Sequence, residues 1–269
     1  MRRDLCNLGG SFHQVFVMAF ELLKHAINMI LTHIGEAIKA SAVPLVILLG
    51  LAFAVGGTFA DLAAMDPTMM SPADIDYGSI LFSSIVMLAA YLILFGWLAV
   101  SWHRFILLGE RPNAVPQFAG KNVGAYILQL IMLFVVLIGV GLVIGIVGGL
   151  LGSIIPGLSL LVSLALVLIL GIAYLRLALT LPAVAVGERL DLMEAWNRTK
   201  PHAGTFVGIF FLLALLRIVV ALPGLLLSSV GLGIIATGVD VVATWFTLMV
   251  GVGILTTLYG HIIEGRELN

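Results

Sequence analysis

Arginine and aspartate are the residues within the long apolar segments of this chain that could bind a charged ligand. Arg217 lies in the apolar run 210–221, and Asp240 lies near the start of the next apolar segment. Counted from the same end of both segments, the two residues are expected at nearly the same depth, because a helix rises about 1.5 Å per residue. A charge inside a membrane segment is by default a functional-site hypothesis. The pair is predicted either to fix helix packing or to bind an anionic or zwitterionic ligand, since an arginine fork suits phosphate.

Other groups that could do chemistry give weaker signals. Arg176 lies closer to the end of its apolar segment, where a long side chain can reach the membrane surface. His103, His202 and His261 follow segment ends, but no acidic residue recurs beside each of them as a metal site would require. The sequence contains no His-Glu-x-x-His, Gly-x-Ser-x-Gly or Gly-x-x-x-x-Gly-Lys-Ser/Thr motif. We therefore predict no catalytic residue, no metal site and no cofactor.

Composition predicts a membrane protein. Of the 269 residues, 61% are apolar and 10% are charged, whereas a soluble domain has about 25% charged residues. Six long apolar segments predict helices, because a β-barrel shows only a weak alternating pattern. The net charge of −1 argues against a nucleic-acid partner. The single cysteine, Cys6, allows no disulfide within the chain.

Three glycines divide the apolar part of the chain into units of equal length. Gly109, Gly187 and Gly265 each follow an apolar segment and precede a charged pair, and they are 78 residues apart (187 − 109 and 265 − 187). Equal spacing predicts internal repetition. We expect an all-α integral membrane protein in which six transmembrane helices form three parallel two-helix repeats about an axis along the membrane normal. The predicted transmembrane domain covers 42–269, with repeats at about 42–111, 112–189 and 190–267.

Residues 1–41 form a separate predicted unit, the N-terminus with an amphipathic helix over 11–40. Polar residues in this stretch recur at steps of three, four or seven, and apolar residues occupy the opposite side. Such a helix is expected to lie in the membrane interface or to pack across the ends of the spanning helices. Alternatively, it presents a face to a partner. The polar stripe consists of Gln14, Glu21, His25, Asn28, Thr32, Glu36 and Lys39.

Small residues and aromatic residues predict two kinds of contact for the spanning helices. Gly141, Gly145 and Gly149 repeat every fourth residue, which predicts a seam where another helix approaches closely, and Gly148 with Gly152 extends this seam. Tryptophan together with basic residues is typical of the lipid headgroup level. The predicted interface anchors are Trp97, Trp102, His103, Arg104 and Trp196.

The distribution of basic residues predicts the orientation of the chain. The loops at 61–79, 152–157 and 223–235 contain no lysine or arginine, and every basic residue except Arg176 and Arg217 lies on the opposite side. The positive-inside rule then predicts that both termini are cytoplasmic. Four aspartates in 61–79 do not have the spacing of an EF-hand loop, so we expect a solvated acidic loop there.

Three stretches resemble a known kind of membrane protein. They are Ser-Trp-His-Arg-Phe-Ile-Leu-Leu-Gly-Glu-Arg-Pro at 101–112, Ala-Leu-Thr-Leu-Pro-Ala-Val-Ala-Val-Gly-Glu-Arg at 178–189, and Glu-Ala-Trp-Asn-Arg-Thr at 194–199. They look like a family of uncharacterised bacterial inner-membrane proteins, similar to the membrane domain attached to some glycerophosphodiester phosphodiesterases. The resemblance implies a six-helix bundle in the bacterial cytoplasmic membrane and supplies no activity. We do not expect phosphodiesterase activity, because the catalytic domain does not occur in this chain.

Two classes of function are consistent with these patterns. The glycine seam, the amphipathic helix and the scarcity of polar residues in the spans favour a non-enzymatic accessory, assembly or scaffold subunit of a membrane complex. Its expected partners are the lipid bilayer and other membrane proteins. The alternative is a transporter or lipid-handling protein with a ligand site near Arg217 and Asp240.

Overall fold

The structure is a computed structural model that describes residues 2–64, 75–113, 120–155 and 157–267, with side chains from residue 14 onward except those of 58–64. Every regular element in these ranges is helical, which confirms the predicted all-α class. Seven helical segments of the described chain are long and apolar enough to cross a membrane. The helices are α1 (Arg2–Thr32), α2 (Ile34–Ala64), α3 (Tyr77–Leu108), α4 (Val123–Ile154), α5 (Leu158–Leu177), α6 (Thr180–Val186), α7 (Leu192–Thr199), α8 (Ala203–Ser229) and α9 (Gly233–Leu258), with a 3₁₀ turn at Lys200–His202 and a π-helical turn at Tyr259–Ile263.

Three helical hairpins form the body of the protein: α2 with α3, α4 with α5, and α8 with α9. Most of the buried apolar residues lie at one end of these hairpins, here called the core end, where α3 and α9 finish and α4 and α8 begin. At the opposite end, the open end, most large side chains of α4 and α5 are exposed. Exposed apolar surface of this extent is typical of helices that face lipid. The buried core therefore joins the hairpins at the core end.

The three equally spaced glycines end helical segments in the same conformation. Gly109, Gly187 and Gly265 have φ values of 74°, 89° and 70°. This left-handed conformation is disfavoured for residues with a Cβ atom and is the usual way in which a glycine terminates a helix. The equal spacing in the sequence therefore corresponds to equivalent helix ends.

Arginine side chains connect these helix ends to one another. Arg104 donates through Nη1 to the carbonyl oxygen of Ala185 (3.1 Å), and Arg266 donates through Nη2 to the carbonyl oxygen of Leu107 (3.0 Å). The last carbonyl groups of a helix have no partner within that helix, and a cation near them is favourable. The two arginines thus stabilise the junction of the hairpins at the core end.

An ion pair beside this junction predicts a dependence of stability on pH. Arg104 donates through Nε to Oε2 of Glu110 (2.8 Å), and this bond holds the pKa of Glu110 below its ordinary value of 4.5. A carboxyl whose pKa is lowered by folding stabilises the protein above its unfolded pKa, and this contribution is lost as the pH falls through the lowered value. We expect Glu110→Gln to reduce the thermal midpoint slightly at pH 7, by an amount that shrinks as the pH falls below about 4.5, measured by unfolding in detergent. A difference that does not change with pH would contradict the pairing.

The α8–α9 hairpin has a register that is set by a glycine. A Cβ atom at Gly224 would overlap the carboxylate of Asp240, so the two helices approach closely at these residues. The helix α8 was predicted to end near residue 222, but it continues through Pro223 to Ser229. Proline is tolerated inside a membrane helix, because only one backbone hydrogen bond is lost. Gly224 and Asp240 therefore lie at the same level along the hairpin.

Helix α1 crosses the core end instead of running along the hairpins. Ala19 packs on Gly208 of α8, and Ile30 packs on Gly253 of α9. Gly224 is level with Asp240, and the two helices run in opposite directions. Gly208, which is 16 residues before Gly224, is therefore level with residue 256, which is 16 residues after Asp240. The two contacts lie 11 residues, or about 16 Å, apart along α1. The positions that they reach on the hairpin differ by only three residues, or about 4.5 Å, along its axis. The axis of α1 is strongly inclined to those of α8 and α9.

Two details of the predicted N-terminal unit differ from the structure. The break between the first two helices falls at His33, so residues 34–41 belong to α2 and not to the amphipathic helix. Phe16 and Phe20 of the predicted apolar stripe are half-exposed. The face of α1 that packs on the bundle carries smaller side chains, because Gly208 and Gly253 bring the helices close together. Its buried residues are Ala19, Leu22, Leu23, Ala26 and Ile30.

The contact between α4 and α5 uses some of the glycines of the predicted seam and not others. Gly141 faces Leu170, but no neighbouring side chain lies within 4 Å of a Cβ atom placed at Gly145 or Gly149. The close approach is at Gly148, where a Cβ atom would overlap Val162. The contact face therefore follows Gly141, Gly148 and Gly152, at steps of seven and four residues, and Gly145 and Gly149 lie outside it.

These glycines offer a matched pair for mutation. We expect Gly148→Leu to destabilise the protein by about 1–3 kcal/mol, because the new side chain overpacks the α4–α5 contact. Gly145→Leu has open space and is expected to change the free energy of unfolding by less than about 0.5 kcal/mol. Unfolding by SDS titration in mixed micelles measures both. Equal effects of the two variants would show that the contact face is misplaced.

Candidate functional site

Arg217 occupies the middle of α8. The helix covers Ala203–Ser229, so its midpoint is residue 216, and the side chain of Arg217 is exposed. A 27-residue helix is about 40 Å long, whereas the hydrocarbon layer is about 30 Å thick. When α8 spans such a layer, Arg217 is too far from both surfaces for its side chain to reach them.

The face of α8 that carries Arg217 is directed toward neighbouring helices. Phe210 and Gly224 lie seven residues before and after Arg217, and residues seven apart share a helix face. The ring of Phe210 occupies the position that a Cβ atom at Gly171 of α5 would take, and Gly224 packs against Asp240 of α9. Arg217 therefore lies between a contact with α5 and a contact with α9. Its side chain is exposed between these two contacts, and we call this stretch of the α8 surface the α5–α9 gap.

The next residue along the helix gives a contrast. Ile218 lies on the stripe formed with Phe211 and Leu225, and these three side chains are 54–64% exposed. A continuous exposed apolar stripe is the surface expected to face lipid. Arg217 is on a different face, about 100° away around the helix.

The structure does not bring Arg217 and Asp240 together as predicted. Asp240 is level with Gly224, which is seven residues (224 − 217), or about 10 Å, from Arg217 along α8. No ion pair within 4 Å joins the two residues in the described part of the chain. The prediction of equal depth is wrong because α8 continues past Pro223 to Ser229, which moves its end away from Arg217.

Asp240 lies instead on a groove between α2, α3 and α9, here called the Asp240 groove. It has a volume of about 370 Å³, and its lining is mostly apolar. Trp245 donates through Nε1 to Oγ of Ser41 (2.8 Å) and connects α9 to α2 within the groove. The sequence patterns missed this groove, because its walls come from three helices that are distant in the chain. Its polar or aromatic lining residues are Ser41, Tyr91, Phe95, Thr237, Asp240, Thr244 and Trp245.

Arg176, the other arginine of the apolar segments, has partners in the structure. Its side chain is buried, and Nε donates to Oγ1 of Thr199 (2.9 Å) while Nη2 donates to the carbonyl oxygen of Trp196 (2.6 Å). The guanidinium carbon lies 3.5 Å from the centroid of the Trp196 ring, which is a cation–π contact. Arg176 thus joins α5 to α7, and it does not extend to a surface as the sequence suggested.

The predicted interface anchors separate into two groups. Trp97, Trp102 and His103 are at most 1% exposed and lie inside the core end, whereas Arg104 and Trp196 remain partly exposed. Burial excludes contact of the first three with lipid headgroups in this structure, which differs from the prediction. The reason is that this part of α3 is surrounded by α4, α6 and α9.

The buried histidine has one defined hydrogen bond. The hydroxyl of Thr256 donates to the carbonyl oxygen of Val252 (2.9 Å), so it accepts from Nδ1 of His103 (2.8 Å). Nε2 of His103 has no hydrogen-bond partner among the described residues. The residue joins α3 to α9 in the same core. Within the described ranges, no three His, Cys, Asp or Glu side chains are grouped so that they could hold a metal ion.

The fold and the site define the class of the protein, which is an all-helical protein of membrane type with an exposed arginine at the middle of one long apolar helix. Comparison of the chain with protein-family models, with characterised proteins and with solved structures finds no match. The resemblance to the membrane domain of phosphodiesterases therefore stays a prediction.

Proposed function

We propose that this chain is a non-enzymatic lipid-handling protein or transporter that binds the anionic group of an amphiphile at Arg217. The observation that carries the proposal is the exposed position of Arg217 at the midpoint of α8, on a face directed at the α5–α9 gap. A guanidinium binds phosphate or carboxylate through two parallel hydrogen bonds. The ligand class is therefore an anionic or zwitterionic amphiphile.

The energetics favour a ligand over a purely structural role. An arginine in the middle of a membrane helix costs about 3 kcal/mol on insertion scales, and more in simulations of isolated helices. Arg176 shows how this chain satisfies a structural arginine, with two hydrogen bonds and an aromatic ring. Arg217 has no such partners among the described residues, so its charge is satisfied by a molecule that enters the gap.

The surrounding architecture is consistent with such a protein. We infer that α1 lies in the membrane interface across the core end, because its contacts on α8 and α9 lie at nearly one level. The six remaining segments then span the membrane as three hairpins. Basic residues are concentrated at the core end, and the positive-inside rule favours a cytoplasmic position for it. We propose a bacterial inner membrane as the location. The basic residues are Arg104, Arg111, Lys121, Arg189, Arg198, Lys200 and Arg266.

A binding experiment on the unaltered protein tests the proposal. The protein is purified in mild detergent, and phosphatidylglycerol and a neutral diacylglycerol with the same chains are added in equal amounts. Native mass spectrometry is expected to show retention of the phospholipid over the neutral lipid by about tenfold, which corresponds to about 1.4 kcal/mol. Equal retention of the two lipids would contradict a site for an anionic group.

The second candidate function is the accessory, assembly or scaffold subunit that the sequence patterns favoured. Two of the three features that favoured it, the amphipathic helix and the glycine seam, make contacts inside this chain. Helix α1 packs on α8 and α9, and Gly141 packs on α5. The observation that still favours it is the open face at Gly145 and Gly149, where another helix could approach closely. Purification with crosslinking tests it. A membrane protein that copurifies with this chain in stoichiometric amount, and that no longer copurifies with Gly145→Leu, would support a subunit. A chain that remains alone would oppose it.

A further inference from the structure

We propose that the Asp240 groove binds one acyl chain of a phospholipid whose headgroup carries an ammonium ion, as in phosphatidylethanolamine. The site is separate from Arg217, and the proposal does not depend on what binds in the α5–α9 gap. It rests on the shape of the groove, on the single charge among the described residues of its lining and on the aromatic side chains in the same lining.

The groove has the direction and the lining of a site for an extended hydrocarbon chain. On α9 it is lined from Thr237 to Leu248, which are 11 residues, or about 16 Å, apart along the helix axis. Lipid chains run in the same direction as the spanning helices. Toward the core end the lining finishes at Leu98 and at Ser41, which accepts the hydrogen bond from Trp245.

The charge in the groove selects the headgroup. Asp240 is the one charged residue among the described residues that line the groove, and it lies toward the open end. No hydrogen bond or ion pair within the described chain satisfies its carboxylate. An unpaired carboxylate at this depth attracts a cation and repels a phosphate. The headgroup that enters the groove therefore presents an ammonium group to Asp240.

An aromatic side chain lines the same groove within one helical turn of the level of the carboxylate. Helices α3 and α9 run in the same direction, and His103 is level with Thr256 through their hydrogen bond. Twelve residues earlier on each helix, Tyr91 is level with Thr244, one turn from Asp240. Tyr91 stacks on Phe95, with ring centroids 5.5 Å apart. A carboxylate next to an aromatic face is a recurring recognition site for ammonium groups.

A lipid competition tests the proposal. The purified protein receives equal amounts of phosphatidylethanolamine and phosphatidylglycerol with identical chains, and native mass spectrometry reads what is retained. We expect a preference of about fivefold for phosphatidylethanolamine at one site, and Asp240→Asn is expected to remove this preference. Leu48→Trp fills the groove and is expected to reduce retention at that site, whereas Leu164→Trp, on the exposed face of α5, is the matched control. Arg217→Leu should leave the preference unchanged, which separates this site from the proposed function.

The proposal is overturned if the unaltered protein shows no preference, if Asp240→Asn retains the preference, or if Leu48→Trp binds lipid as the control does. If a variant fails to fold, a crosslinking measurement on the unaltered chain tests the proposal instead. A photoactivatable phosphatidylethanolamine with its reactive group on the acyl chain is crosslinked in nanodiscs and mapped by peptide mass spectrometry. Crosslinks on the groove residues of α2, α3 and α9 are expected, and crosslinks confined to other helices would overturn the site.

Discussion

Arg217→Leu is expected to reduce retention of an anionic amphiphile by about tenfold or more while leaving the protein folded. The loss follows from the removal of charge-assisted hydrogen bonds, each of which contributes about 1.5–3 kcal/mol. Stability is expected to stay the same or to increase, because the variant no longer places a charge in the middle of a span. Native mass spectrometry measures the retained ligand, and SDS titration measures the free energy of unfolding.

Two further variants make this result specific to the charge. Arg217→Lys keeps a positive charge without the planar fork and is expected to retain part of the binding. Ile218→Leu changes the neighbouring exposed face and is the matched control, with binding unchanged. Loss of folding in Arg217→Leu, with ligand retention unchanged in the folded fraction, would show that Arg217 serves structure and not binding.

Arg176→Leu is expected to give the opposite pattern, with a loss of stability of about 2–3 kcal/mol and no specific loss of ligand. The variant removes a cation–π contact worth about 2 kcal/mol in a desolvated site and two hydrogen bonds from a charged group. Part of this loss is offset, because the variant avoids the burial of a charge. The free energy of unfolding from SDS titration measures the effect.

The comparison between the two arginines is the control for this prediction. Both substitutions remove one arginine and add one leucine, but only Arg176 has Trp196 and Thr199 as partners. Arg176→Lys is expected to be intermediate, because lysine keeps the charge and cannot form both hydrogen bonds in the same geometry. If Arg176→Leu is as stable as the parent, the contact between α5 and α7 does not hold the core end together.

Local patterns in the sequence predicted the helical segments better than the contacts between them. The glycine breaks at 109, 187 and 265 were recognisable, because a glycine beside charged residues marks the end of an apolar helix. The break at His33 was not, because the nearest glycine, Gly35, lies two residues further on, inside α2, and does not mark the helix end. The continuation of α8 through Pro223 was missed because Pro223 predicted a helix end that does not occur. A membrane helix tolerates proline, and α8 packs closely on α9 at Gly224, directly after it.

The candidate site was predicted in its residues but not in its geometry. Arg217 and Asp240 were recognisable as charges in apolar segments, yet their separation depends on where α8 ends. Trp97 and Trp102 were predicted at the headgroup level, because tryptophan is common there. Tryptophan is equally suited to a buried core, and sequence composition does not distinguish a lipid surface from a protein surface. The Asp240 groove required the packing of three separate helices.

The measurement that tests the central claim most directly is the accessibility of position 217 to a charged reagent. In a Cys6→Ser background, Arg217→Cys and Ile218→Cys are placed in nanodiscs and treated with a membrane-impermeant sulfonated thiol reagent. The account predicts rapid modification at position 217, because this face opens into the α5–α9 gap, and slow modification at position 218, because that face meets lipid. Equal protection of both positions would show that no accessible gap lies in front of Arg217 and would contradict the proposed binding site.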